Sequence, residues 1–187
     1  VATSEKIMSY QVGFKSELAG RRVRLNGAIF HYNVDDPQFT AVGGAGNLVQ
    51  LVNAEEGQAW GFELEGAFRA SENFVLTAGV SYNDTEIDDE NAFVAGCGSV
   101  PACTVLDPPR PGGPAGIFSI DGNALPQAPK WTVNFTAGYE HPIGPGSLYI
   151  FTDWYHRSKI QFFLYESVEF SDDKLLEGGL RIGYKTD

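Results

Sequence analysis

Along much of this chain apolar and polar residues alternate one by one. From Trp131 to Tyr139 the apolar set is Trp131, Val133, Phe135, Ala137 and Tyr139, with Thr132, Asn134, Thr136 and Gly138 between them. A period of two puts the sets on opposite faces of an extended strand, whereas a helix needs a period of 3.6. Phe74, Leu76, Ala78, Val80 and Tyr82 repeat the pattern against Thr77, Gly79, Ser81 and Asn83. Phe62, Leu64 and Phe68 face away from Glu63, Glu65 and Arg69, and Tyr10, Val12 and Phe14 from Gln11, Gly13 and Lys15. Leu176, Leu180, Ile182 and Tyr184 face away from Glu177, Gly179, Arg181 and Gly183. Residues 23–34 and 147–157 read as strands with less clean faces. The pattern predicts seven strands and no helix.

The connections add the architecture. Residues 19–22, 70–73 and 141–146 read as tight turns, whereas 35–58, 85–125 and 158–174 are long and rich in Gly, Pro, Asp and Asn. Short and long alternate strictly, so a meander collects the turns at one end and the loops at the other. Transmembrane β-barrels of the outer-membrane type have this asymmetry. Each strand is also close to the roughly 9–11 tilted residues that cross a bilayer. The predicted fold is all-β: an antiparallel up-and-down meander of about seven strands, part of a larger transmembrane β-barrel. The apolar face then meets lipid and the polar face a wet lumen. Trp131, Tyr139, Phe74, Tyr82, Tyr10 and Tyr184, near strand ends, are placed for aromatic girdles. Two alternatives share the alternation. A soluble β-sandwich buries the apolar face, though it usually shows turn signals every 8–12 residues. A lipocalin-like binding module holds a small ligand inside, but closes with about eight strands.

Composition narrows the function classes. The 187 residues are 43% apolar and 20% charged, with 13 basic against 24 acidic side chains and a net charge of −11. Such a balance argues against nucleic acid, which needs clustered Lys and Arg. No apolar run approaches the roughly 18 residues of a membrane helix. The opening Val1-Ala2-Thr3-Ser4-Glu5 has no basic region or apolar core, so no signal peptide is expected there.

Few residues suggest chemistry. Cys97 and Cys103 lie six positions apart in the longest loop. A cell-surface setting favours a disulfide between them, while no His lies nearby to complete a zinc shell. Asp84, Glu86, Asp88, Asp89 and Glu90 offer hard oxygen ligands, yet match no EF-hand spacing and read as a solvated loop. Gly43-Gly44-Ala45-Gly46-Asn47 lacks the Lys-Ser/Thr of a phosphate cradle and reads as a flexible loop tip. The segment 108–114, rich in Pro, is a further loop piece. His31, His141 and His156 show no paired ligand spacing, and no nucleophile elbow occurs. No enzymatic activity, metal site or cofactor is expected. Phe39, Phe93, Phe118, Phe162, Phe163 and Tyr165 are candidates for ligand contact in the loops, with loop packing as the equal alternative.

Several segments together resemble one family. Asn53-Ala54-Glu55-Glu56-Gly57-Gln58-Ala59-Trp60-Gly61-Phe62-Glu63-Leu64-Glu65 is similar to the strand ending in Gly-x-Glu-x-Glu of TonB-dependent outer-membrane receptors. The strand from Asn73 to Tyr82 is similar to the one that follows it there. Leu125-Pro126-Gln127-Ala128-Pro129-Lys130-Trp131 resembles the family's Leu-Pro-x-Ala-Pro lead-in to a strand. Asp153-Trp154-Tyr155-His156-Arg157-Ser158 resembles its Asp-x-x-Tyr-x-x-Ser strand end, and Tyr10, Gly13 and Lys15 an earlier strand. The resemblance is to the later part of the barrel. It implies that residues 1–187 are a partial barrel domain, a fragment whose plug domain and final strands are absent. It further implies a bacterial outer-membrane transporter taking up a scarce nutrient, such as an iron–siderophore complex, energised by TonB. The implied partners are outer-membrane lipid, an extracellular small-molecule ligand, and the TonB complex through the missing plug.

Overall fold

The computed structural model describes residues 4–98 and 102–186. Its strands are β1 (Lys6–Leu18), β2 (Val23–Asp35), β3 (Gln38–Gly43), β4 (Leu48–Asn53), β5 (Glu56–Arg69), β6 (Phe74–Asp88) and β7 (Phe93–Ala95). They are followed by β8 (Ile117–Ser119), β9 (Trp131–Ile143), β10 (Gly146–Arg157), β11 (Ile160–Gln161), β12 (Ser171–Asp172) and β13 (Leu175–Thr186). Seven of them form one sheet in the order β1-β2-β5-β6-β9-β10-β13, every pair antiparallel. This is the meander that the alternation predicts. Chain neighbours joined by a few residues have little alternative to pairing. The turn between β9 and β10 is shorter than read from sequence, because β9 continues through Ile143. Gly144, with φ 59°, takes the first central position, which a two-residue II′ hairpin reserves for glycine.

Register decides which residues share a face, because directly paired residues project to the same side. Val12 pairs Ile29, Ile29 pairs Phe62, Phe62 pairs Tyr82, and Tyr82 pairs Trp131. Phe135 continues the series to Trp154, and Ile150 to Ile182. The apolar sets of all seven strands thus form one continuous surface. It stays open, with Ile29 62% and Leu180 66% exposed. A sandwich requires a second sheet on this face, and among the described residues none lies there. A lipocalin-like barrel requires closure, whereas among the described residues β1 and β13 do not pair with each other.

Aromatic residues band this surface at two levels. At the loop end Trp60, Phe62, Tyr82 and Trp131 touch one another, with ring centroids 4.8–6.1 Å apart. Near the turns Phe74 meets Tyr139 at 6.4 Å. The β6–β9 register between the bands runs from Tyr82↔Trp131 to Phe74↔Tyr139, nine pairs. That matches the span a tilted strand uses to cross a bilayer.

The opposite face carries Lys15, Asn26, Glu63, Glu65, Thr77, Asn134, Thr136, Glu140 and Arg181. Thr77 and Thr136 hydroxyls lie 2.6 Å apart, and Lys185 reaches Glu140 at 2.8 Å. The two strands with mixed faces also place rings here: Phe30 and Tyr32 from β2, and Tyr149, Phe151 and Tyr155 from β10. Glycines on adjoining strands make room for them. A Cβ at Gly61 would collide with Phe30, and one at Gly183 with Tyr149.

The long connections contain strands of their own, which the sequence pattern did not predict. Each contains its own hairpin: β3–β4 in the first, β7–β8 in the second and β11–β12 in the third. The strands β2, β5 and β6 also run beyond the upper aromatic band, to Asp35, Glu56 and Asp88, which pair in register.

Candidate functional site

The most deeply buried apolar residues lie above the sheet, not within it. The long connections fold into a cap whose core is Ala41, Ala54, Ile87, Ala92, Val94, Ile120, Leu164 and Tyr165. The first connection (36–55) supplies Ala41 and Ala54, the second (89–130) Ala92, Val94 and Ile120, and the third (158–174) Leu164 and Tyr165. Ile87 joins them from the top of β6. Below the upper aromatic band the even positions of β6 are apolar; above it Asp84, Glu86 and Asp88 take those positions. The odd positions change in the opposite sense, to Thr85 and the fully buried Ile87. The sheet therefore turns its apolar side inward once it clears the girdle, and that inversion nucleates the cap.

Close backbone approach fastens the first connection to the second. The Gly44 N–H donates to the Gly96 carbonyl at 2.7 Å, and the Gly98 N–H to Asn47 Oδ1 at 3.3 Å. A Cβ at Gly43 would run into the Ala95 carbonyl oxygen, and one at Gly98 into that of Gly44. The glycine run at 43–47 is thus an interlocking contact and not the flexible tip expected. Cys97 and Cys103 flank this contact with Cα atoms 5.9 Å apart and their sulfurs joined.

Hydrogen bonds fasten the second connection to the third. Asn123 Nδ2 donates to Asp107 Oδ2 at 3.0 Å and to the Leu164 carbonyl at 2.9 Å. Asp107 Oδ2 also accepts the Glu166 N–H at 2.6 Å. Burial raises the Asp107 carboxyl pKa, and these two donors partly offset it. Glu169 accepts both the N–H and the hydroxyl of Thr104, at 2.7 and 3.0 Å. The backbone donor holds its pKa below the ordinary value.

The aromatic candidates divide unevenly. Tyr165 is buried, and burial raises its phenol pKa. Phe163 stacks on Tyr165 and meets Phe170 edge-on, at 5.5 and 5.0 Å. Phe39 packs on the core, Phe93 lies under the Arg110 guanidinium at 4.9 Å, and Phe118 packs against Gly96. Phe162 alone of the six is exposed. Five of the six therefore build the platform instead of lining its outer surface.

The acidic run is likewise dispersed. Asp84 pairs Lys130 at 2.6 Å and accepts the Tyr82 hydroxyl, and Asp89 accepts the Glu55 and Asn91 N–H groups. Among the described residues no three His, Cys, Asp or Glu side chains converge as a metal-ligand set. His31, His141 and His156 lie on β2, β9 and β10; His141 stacks on Tyr139, and His156 bonds the Leu175 carbonyl. Charge is the signal that strand-by-strand reading passes over. Residues 35–58, 85–125 and 158–174 hold fourteen of the 24 acidic and three of the 13 basic side chains. These segments, which include the strand ends above the girdle, thus carry the whole net charge of −11, and the rest of the chain is balanced.

Residues 3–181 match the family described as TonB dependent receptor-like, beta-barrel. No curated protein matches the sequence. Among solved structures, the ferric yersiniabactin uptake receptor FyuA from Yersinia pestis aligns with TM-score 0.68 at 16% identity, covering 98% of this chain and 23% of that one. The ferric preacinetobactin receptor BauA from Acinetobacter baumannii aligns with TM-score 0.61 at 16% identity, over 97% and 23%. The FrpB iron transporter from Neisseria meningitidis (F5-1 variant) aligns with TM-score 0.60 at 15% identity, over 99% and 25%. The chain thus spans about a quarter of the length of these proteins.

Proposed function

Because the chain belongs to the TonB-dependent receptor β-barrel family, we propose that it forms part of the wall and outer cap of an active importer for a scarce nutrient. Members of this family are transporters of the outer membrane, not enzymes. In this reading residues 1–187 are a partial barrel domain, and the plug and final strands belong to the rest of the receptor. An iron–siderophore complex is the favoured cargo, as in FyuA and BauA. TonB energises uptake through the plug. Cys97 and Cys103 form a surface disulfide that stiffens the cap.

The observation that carries the reading is the single apolar surface running across seven registered strands, with every long connection gathered beyond its upper aromatic band. A lipid-facing wall needs such a surface, and a receptor needs a recognition cap at one end. The polar inner face, with Glu63, Glu65, Lys15 and Arg181, suits water and a resident plug.

The test is uptake of radioactive iron, presented as a panel of ferric siderophores, by iron-starved cells expressing the full-length receptor or a deletion. Receptor-dependent uptake that collapses with a proton uncoupler or on loss of TonB supports the proposal. Uptake unchanged by deletion across the panel removes the siderophore assignment. Uptake indifferent to TonB removes the energised mechanism.

A further inference from the structure

Of the seven arginines in the chain, four are engaged by their surroundings. Arg21 pairs Glu17 at 3.4 Å, and Arg110 lies over the Phe93 ring. Arg181 lies over Phe151 with Asp153 beside it, and Arg157 is clasped by Asp172 and the Asp173 carbonyl. Among the described residues the other three, Arg22, Arg24 and Arg69, join no ion pair. All three are exposed, and they lie together at the turn end of β2 and β5. The Arg69 N–H donates to the Arg22 carbonyl at 2.7 Å, so these two stand opposite each other. Arg24 pairs Ala67 and is therefore diagonal to Arg69. Glu17 is opposite Arg24 in the β1–β2 register, yet its carboxylate turns to Arg21. Like charges set side by side destabilise a sheet. Three of them without a counter-charge of their own are placed to receive one from elsewhere.

Register fixes the direction from which it comes. Arg24 shares a row with Ala67, Thr77 and Thr136, and Arg69 shares one with Val75, Gly138 and Phe151. Both rows are on the inner face, away from lipid. Arg24, Asn26, Glu65, Ala67, Thr77 and Asn134 line a recess in that face. Ala67, in register with Arg24 and two residues from Arg69, leaves space between the two. The other half of the wall is self-contained: Glu140 takes Lys185 and Ser147, and Asp153 lies beside Arg181.

We propose that Arg24 and Arg69, with Arg22 at the rim, dock an acidic segment of the plug, bearing more than one carboxylate, against the β2–β5 part of the wall. The inference rests on the partial-barrel reading above, in which this face lines a lumen that holds the plug. A planar guanidinium takes a carboxylate through two parallel N–H donors, which fixes orientation as well as strength. The same segment at the loop end would meet the net negative charge of the connections. Charge along the wall therefore sets both the side and the end of the lumen that the segment occupies.

The test uses the full-length receptor in opened outer-membrane vesicles. Phenylglyoxal, a small arginine reagent, is expected to modify Arg24 and Arg69 at least about tenfold more slowly than the 86% exposed Arg21, the scale of one charge-assisted contact. Salt at about 1 M, which shortens the screening length to about 3 Å, is expected to remove most of that protection. Reaction as fast as that of Arg21 in low salt overturns the inference. A photoreactive p-benzoylphenylalanine at Ala67, between the arginines, identifies the occupant. Cross-linking to a peptide of the same polypeptide, outside residues 1–187 and carrying more than one Asp or Glu, supports the docking. A peptide without them, or one from another protein, overturns it. Arg24→Gln with Arg69→Gln is expected to lower the cross-link about tenfold, whereas Arg24→Lys with Arg69→Lys retains most of it. Equal yields from the two pairs overturn the electrostatic docking. Should the glutamine pair fail to assemble, the wild-type rates and cross-link decide by themselves. The same probe at Ile29 is the control for the wall. Lipid cross-links there leave the partial-barrel reading standing whatever the arginines do. Lipid cross-links at Ala67 with protein at Ile29 overturn that reading and the inference with it.

Discussion

Replacing Ile87 by Ala separates the cap from the wall energetically. Ile87 is fully buried, and its backbone exchanges hydrogen bonds with Asn123 and Gly122 at 2.9 and 2.8 Å. An Ile→Ala truncation in a core costs about 2–5 kcal/mol, depending on how far the cavity collapses. The cap is small and walled by short hairpins, so collapse is easy and the lower half, about 2–3 kcal/mol, applies. At 1.4 kcal/mol per tenfold, the open population of the cap rises about 30- to 150-fold. The assay is hydrogen exchange in the full-length receptor at the Gly96, Leu106 and Glu166 amides, whose acceptors all lie within the cap. Strand amides between Tyr82 and Phe74 serve as the internal reference, and Ile29→Ala as the control. Ile29 is on the lipid-facing surface, where a bilayer tail replaces the lost contacts with little change in free energy. Equal acceleration in cap and wall, or a cap change below about threefold, would refute the reasoning that the cap has its own core.

Phe135→Arg is expected to lower the yield of heat-modifiable receptor in outer-membrane fractions far more than Thr136→Arg, because a mid-bilayer Arg costs about 2–4 kcal/mol. Arg at Trp131 or Tyr139, at the two girdles, is expected to cost much less, and equal losses at all four positions would contradict the lipid-facing assignment. Asn123→Ala leaves the buried Asp107 carboxylate with one donor fewer, an effect of about 1–3 kcal/mol read as faster exchange of the Glu166 amide. The Glu169 pKa is lowered in the fold, so its contribution is present above the ordinary carboxylate pKa and lost as pH falls through the folded value. Exchange at the Thr104 amide, corrected for intrinsic rate, is expected to rise on acidification, and Glu169→Gln to abolish that rise. Thiol labelling of denatured, unreduced receptor is expected to find neither Cys97 nor Cys103 free; labelling of both would remove the surface disulfide.

The wall was readable because a bilayer imposes a strict period of two on every strand that crosses it. Trp131 to Tyr139 and Phe74 to Tyr82 display that period without interruption, and the short turns 70–73 and 144–145 dictate their pairing with β5 and β10. The overruns were less visible, although their signal is present. Asp84, Glu86 and Asp88 continue the same alternation with the sense of the faces exchanged, and a search for apolar positions alone ends the strand at Tyr82. The strands β2 and β10 looked irregular because their inner faces carry rings seated on glycines of neighbouring strands. The cap was the least accessible part. Gly43 against Ala95 and Asn123 against Asp107 are contacts between distant segments, and no local period announces them. The loop aromatics were ambiguous for a physical reason: a ring that packs a small core and a ring that greets a ligand have the same composition.

The division of charge between a balanced wall and an acidic crown bears on how the protein acquires its sidedness. Residues 35–58, 85–125 and 158–174, the connections with the strand ends that bear them, hold seventeen charged side chains, nearly half of those in the chain. Moving one such group through the centre of a bilayer costs about 2.5–3.5 kcal/mol even on the most lenient scale. Passing the crown back through lipid would therefore cost some tens of kcal/mol, beyond any thermal route. Orientation is decided once, at insertion, and then lasts for the life of the molecule. For the same reason the crown cannot reach the outside across hydrocarbon. It has to travel through a wet opening, and the polar face that becomes the barrel interior is the surface suited to line one.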